Sequence, residues 1–128
     1  MLAPIERLAR FMATLDAANL EGVFADGVTI HENFAPFVFA GTDAVARWTA
    51  LFRDHAKRLS HLKHSFGPAQ DFHIDGPLAY FALPTTWTGQ SHGEPFVETG
   101  GWSFVLTHEN TVWRIKAYAW AVISYKKT

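Results

Sequence analysis

Apolar residues recur near the N-terminus at Ile5, Leu8, Phe11, Met12 and Leu15, the stripe of an amphipathic helix. Pro4 suits its first turn, where a missing N–H costs nothing. Asn19 is placed to cap a second short helix that Gly22 ends. At Asp26-Gly27 the period changes. Val28, Ile30 and Glu32 fall on one face of a strand, and Thr29, His31 and Asn33 on the other. The stretch FADGVTIHENF thus sets a carboxylate on the face that should be buried. Phe37 to Ala40 read as a short extended piece. Thr42 or Asp43 caps a further helix with a stripe of Val45, Trp48, Leu51, Phe52 and His55, and Lys57 and Arg58 suit its negative C-terminal dipole.

Everything beyond reads as strand. His61 to Ile74, Leu78 to Trp87, Pro95 to His108 and Thr111 to Tyr125 are four runs separated by Asp75-Gly76, Thr88-Gly89 and Glu109-Asn110. Short connections imply an antiparallel meander, and helices followed by such a sheet predict an α+β domain with the helices on one sheet face. On the last run Ile115, Ala117, Ala119 and Ala121 alternate with Arg114, Lys116, Tyr118 and Trp120, which puts Tyr118 and Trp120 on the second face. On the penultimate run Phe96, Glu98, Gly100, Trp102 and Phe104 share a parity, so Glu98 points inward with the aromatics unless Gly100-Gly101 forms a bulge. His61 and His64 lie on opposite faces, and His64 is the one expected to face in.

Composition narrows the chemistry. The 128 residues make one domain, spanning 1–128. Aromatic residues are 15% against 18% charged, so large rings are plentiful, and some are expected to line a space. A net charge of −1 with scattered Lys and Arg gives no basic face for nucleic acid. No apolar run suits a membrane or a secretory leader, and a cytoplasmic protein is the expectation. The absence of cysteine removes thiolate catalysis and Cys-ligated zinc. His61 and His64 diverge, His31 and Glu32 face opposite ways, and no metal site is expected. No serine sits in a nucleophile elbow and no glycine-rich loop suggests a phosphate cofactor, so no cofactor is expected.

The order of elements resembles the nuclear transport factor 2-like superfamily, in its SnoaL-like and ketosteroid isomerase-like branch. The carriers are LDAANLEG, FADGVTIHENF, FAGTDAV, WTGQ and GWSFVLTHENTVWRIKAY, and the resemblance covers nearly the whole chain. It implies a conical roll, a curved sheet wrapped around N-terminal helices with an apolar pocket inside, and a homodimer pairing through the outer sheet face. Glu32 is similar in position to the isomerase's general base, an Asp. The positions of that enzyme's oxyanion donors hold Phe11 and Trp102, and Asn33 replaces a proline, so steroid isomerisation by that mechanism is not expected. In the SnoaL-like branch an acid and a histidine share the cone, which Glu98 and His64 would fit.

The expected catalytic set is therefore Glu32, with Glu98 or His64 assisting. The expected pocket lining is Phe11, Phe34, Trp48, Phe81, Leu83, Trp87, Trp102 and Ile115. Three readings follow: a cofactor-free proton-transfer enzyme (isomerase, cyclase or hydratase/dehydratase) acting on a small apolar cyclic or carbonyl-bearing molecule, a binder of such a molecule, or an association module on the same fold.

Overall fold

The computed structural model describes all 128 residues. Helix α1, Ala3–Thr14, carries Pro4 in its first turn and ends at Leu15, whose left-handed backbone returns its N–H to the Phe11 carbonyl. A 3-10 turn follows at Ala17–Leu20. Its cap is Asp16, which accepts from the Ala18 N–H, rather than Asn19, whose amide donates back to the Asp16 carbonyl. Then come β1, Phe24–His31, β2, Val38–Phe39, and α2, Ala44–His55. Asp43 precedes α2 but pairs with Arg47 instead of capping a backbone N–H. Leu51 is the stripe residue of α2 left exposed. Lys57 and Arg58 belong to a short 3-10 turn, Ala56–Arg58. No helix is long and apolar enough to cross a membrane.

The remaining strands are β3, Leu59–Phe66, β4, Gln70–Asp75, β5, Leu78–Ser91, β6, Glu94–Glu109, and β7, Val112–Lys127. They form one curved sheet in the order β2-β1-β7-β6-β5-β3, with β4 beside β3 on the edge of β5. Every pairing is antiparallel except β1 with β7. This is the α+β conical roll expected from the chain, with both helices inside the curve.

Two strand boundaries differ from the expectation. The run His61 to Ile74 is two strands, because Gly67-Pro68 interrupts it and the Gly67 N–H turns onto the Pro84 carbonyl. Thr88-Gly89 is not a turn: β5 continues to Ser91 and the chain reverses at His92-Gly93, both with positive φ. Gly89 is needed for a close crossing, since a Cβ there would lie 2.9 Å from both the Ser60 carbonyl and the Leu62 side chain.

Strand β7 carries two bulges. Lys116 is extra between the pairs Leu106–Ile115 and Val105–Ala117, and Ile123 is extra between Gly100–Val122 and Thr99–Ser124. The first bulge reverses the expected alternation. Ile115 faces in, and so do Tyr118 and Trp120, whereas Ala119 and Ala121 take the outer face. Beyond the second bulge Tyr125 faces in opposite Glu98. Strand β6 itself keeps strict alternation through Gly100-Gly101, so the inward reading of Glu98 holds. The core between the helices and the sheet is close-packed rings and aliphatics, with Ile5, Leu8, Phe11, Trp48, Phe81, Leu83, Phe104, Leu106 and Ile115 at 0 or 1% exposure.

Gly100 makes room for the turned-in Trp120. A Cβ there would stand 2.3 Å from the Ala121 carbonyl and 2.6 Å from the Trp120 ring, while a Cβ at Gly101 meets nothing within 4 Å. Gly100→Ala is expected to lower stability by about 2 kcal/mol or more through overpacking, and Gly101→Ala to leave it nearly unchanged. Urea unfolding of the two variants checks this, and equal midpoints would refute the account of the bulge.

Candidate active site

The wide end of the cone is open to a cavity of about 200 Å³. Four segments converge on it: the chain after β1 (Glu32, Asn33, Phe34), the end of α2 with its 3-10 turn (Phe52, His55, Arg58), the β5–β6 hairpin (Trp87, Ser91, Phe96, Glu98), and β7 (Trp120, Tyr125). Met12, Leu59 and Leu62 add apolar wall, and Trp102 adds an indole at 1% exposure.

Glu32 lies one residue beyond β1, on the same inward face as Val28 and Ile30, and is 8% exposed. Its backbone N–H donates to the Phe37 carbonyl, which fixes the chain as it leaves the strand. The carboxylate is held from two sides. Trp48 of α2 donates its indole N–H to Oε2 at 2.9 Å, and Tyr118 of β7 donates its hydroxyl to the same oxygen at 2.5 Å. Oε1 takes no protein hydrogen bond and is not sealed from the cavity. Burial, the largest influence, pushes the Glu32 pKa up to about 7; the hydrogen bonds from Tyr118 and Trp48 pull it down, and the charge of Glu98 adds to the rise. Burial also raises Tyr118, assisted by the adjacent Glu32 charge and the hydrogen bond between them. The phenol therefore stays protonated and remains a donor.

Glu98 borders the same cavity, and its pKa is raised by burial, with the Trp120 indole and Arg58 acting in the opposite sense. Two carboxyls raised by burial in one cavity is a pairing in which one group can accept a proton while another supplies one. The histidine beside them is His55, stacked on Phe34 with ring centroids 5.0 Å apart. Burial and the Arg58 charge lower its pKa, so its imidazole is neutral. Its Nδ1 is 3.4 Å from Arg58 Nη2.

His64 does not join this group. It faces the inside of the sheet but against α1, 3.2 Å from Glu6 and between Phe66 and Trp87. His61 is exposed. Of the residues expected to line the pocket, Phe34, Trp87 and Trp102 do so. Phe11, Trp48, Phe81, Leu83 and Ile115 instead sit in the packed core. Trp48 still reaches the site, through its N–H. Tyr118 was hidden by the Lys116 bulge, and His55 and Arg58 were legible only as helix residues. No group of three or more His, Asp or Glu side chains is placed to hold a metal ion.

No protein-family model matches the chain, and no curated protein matches its sequence. Solved structures do match in shape. Hexachlorocyclohexane dehydrochlorinase LinA type 3 from Novosphingobium barchaimii LL02 superimposes with TM-score 0.80 at 6% identity, over 98% of this chain and 86% of that one. A provisionally assigned scytalone dehydratase from Novosphingobium aromaticivorans gives 0.77 at 9%, over 98% and 83%. An NTF2-like protein of unknown function from Pseudomonas putida KT2440 gives 0.69 at 14%, over 92% and 80%. At such identities the likeness establishes the fold.

The raised Glu32 carboxyl has a signature in stability. Between pH 4.5, its ordinary value, and about 7, the native state retains a proton that the unfolded chain has released, so rising pH weakens the fold across that window. Relative to Glu32→Gln, the wild type is expected to lose on the order of 2 kcal/mol between pH 5 and pH 8, because Glu98 titrates in both. Urea unfolding at the two pH values measures this, and a difference independent of pH would contradict the assignment.

Proposed function

We propose that this chain, which has the nuclear transport factor 2-like fold, is a cofactor-free proton-transfer enzyme acting on a small apolar cyclic or carbonyl-bearing molecule. The observation that carries the reading is the Glu32 carboxylate. It is buried at an apolar cavity, oriented by Tyr118 and Trp48 through one oxygen, and left with the other free for a substrate. A carboxyl with a pKa of about 7 is ionised often enough at neutral pH to act as a base, and it is basic enough to take a proton from an activated carbon.

In the proposed step Oε1 of Glu32 removes a proton from carbon. The released electron pair either forms an enolate, which is reprotonated at another carbon, or expels a leaving group from the adjacent carbon. Glu98 in its protonated form supplies the return proton, to carbon in an isomerisation or to a departing oxygen in a dehydration. Tyr118 and Trp48 are positioning residues that aim the base. The shape relatives named for dehydrochlorination and for dehydration both carry out eliminations by name, which supports the elimination branch. A homodimer through the outer sheet face belongs to the same proposal, with outward Tyr80 and the bulged Ile123, 79% exposed, as apolar surface for it.

The test is solvent deuterium exchange at the acidic carbons of small cyclic ketones, followed by NMR. The wild type is expected to accelerate exchange, with a rate that rises with pH through about 7, where Glu32 becomes ionised. Glu32→Gln should lose about 10²- to 10⁴-fold. Tyr118→Phe removes a bond that lowers the Glu32 pKa, so its pH–rate inflection should move upward. Equal exchange by wild type and Glu32→Gln would overturn the catalytic reading in favour of a binding module.

A further inference from the structure

The cavity is apolar at depth and charged at its mouth. Trp87, Phe96 and Glu32 are buried in its inner part, whereas the exposed Arg58 and Asn33 and the half-buried Ser91 border its outer part. Arg58 is the one Lys or Arg in the lining. The volume, about 200 Å³, exceeds the 150 Å³ or so that admits benzene and falls short of the roughly 300 Å³ at which sites for larger ligands begin. One ring fits inside.

Arg58 is tethered at both ends. Its carbonyl accepts the His92 N–H at 2.9 Å, which clips the 3-10 turn Ala56–Arg58 to the tip of the β5–β6 hairpin. Its guanidinium donates from Nη1 to the His55 carbonyl at 3.2 Å and from Nη2 to His55 Nδ1 at 3.4 Å. His55 is itself stacked on Phe34. A guanidinium has five N–H donors, and the two given to His55 leave three. No carboxylate of the chain takes them, since Arg58 is in none of its ion pairs. A positioned fork with free donors thus stands at the entrance to an apolar cavity.

Resting on the reading of this cavity as a substrate site, we propose that the substrate is a single-ring molecule bearing one carboxylate, and that the Arg58 guanidinium binds this group at the mouth while the ring enters toward Glu32. The fork matches a carboxylate with two parallel hydrogen bonds, and its charge persists at every working pH. At the mouth the acid group keeps water on its outer side, so no new charge has to be buried. It is not a reacting group; it sets which ring carbon meets Oε1 of Glu32. Glu98 in the same cavity disfavours a doubly charged phosphate in its place. The bound anion also acts on Glu98. Arg58 pulls the Glu98 pKa down against the larger effect of burial, and a carboxylate on Arg58 offsets that pull, so Glu98 holds the proton it is to return.

The test compares 3-oxocyclohexane-1-carboxylate with 3-oxocyclohexane-1-carboxamide at neutral pH, two compounds that differ in charge but hardly in size. Tryptophan fluorescence reads binding, and NMR reads deuterium exchange at the carbons beside the ketone. The wild type should bind the carboxylate about tenfold tighter than the amide, and added sodium chloride should shrink that preference. Arg58→Gln should lose it, with the effect on exchange of the keto acid falling mainly on KM, and Arg58→Lys, which keeps the charge without the fork, should retain part. Equal binding of the two compounds by the wild type, or a preference that survives in Arg58→Gln, would overturn the proposal. Should Arg58→Gln fail to fold, Arg58→Lys and the salt series decide, and a preference indifferent to both would overturn it. Exchange by Glu32→Gln separates this claim from the reading it rests on. Carboxylate preference with equal exchange by wild type and Glu32→Gln refutes the base and keeps the anion site, whereas exchange that needs Glu32 without the preference does the reverse.

Discussion

The Glu32 carboxylate is buried where a hydrocarbon would be cheaper, and most of the architecture around it serves to hold it there. A lone carboxylate in such surroundings is strongly disfavoured. Two donors on one oxygen reduce that cost without abolishing it, which leaves the group near neutrality instead of either fully charged or fully protonated. The donors come from opposite sides of the fold, Trp48 on α2 and Tyr118 on β7. The parallel pairing of β1 with β7 places Ile30 opposite Tyr118, two residues before Glu32. The Lys116 bulge turns Tyr118 inward, and the absence of a Cβ at Gly100 lets Trp120 turn with it. Phenol and indole are thus fixed by sheet register and helix packing, and the base sits one residue past the end of β1.

The aromatic content divides by task. Most rings fill the cone: Phe11, Trp48, Phe81 and Phe104 are sealed from solvent. A minority stop short of filling it, and the space they leave is bounded by Phe34, Trp87, Trp102 and Trp120, with Glu32 and Glu98 as its acids. The same rings that make the wall apolar desolvate the carboxyls, so packing and acidity have one cause. His55, stacked on Phe34 and adjacent to the Arg58 guanidinium, completes the rim.

Much of the fold was legible because its cues are local and periodic. The stripe of α1, the alternation Val28, Ile30, Glu32 and the parity of Phe96 to Phe104 each follow from side-chain direction within one element. The features that escaped depend on partners distant in sequence. A bulge is a property of two strands, and nothing in the run Arg114 to Ala121 marks Lys116 as the extra residue, so Tyr118 read as outward. Gly89 read as a turn because a glycine required by a neighbouring backbone and one required by a reversal look alike. His64 was correctly placed on the inner face, but which inner surface it meets is set by α1 and Glu6. Whether a buried ring lines or fills the cone is likewise a matter of volume, which no pattern along the chain encodes.

The central claim is that Glu32 is a buried carboxyl tuned to neutrality by its surroundings. A pH titration of side-chain carboxyl ¹³C shifts, with the Glu32 signal identified by its absence in Glu32→Gln, addresses it without any substrate. The account predicts a midpoint near 7, set apart from the exposed carboxylates. A midpoint near 4.5, the ordinary value, would mean that water reaches the group freely, and the base, the cavity and the mechanism built on them would fall together.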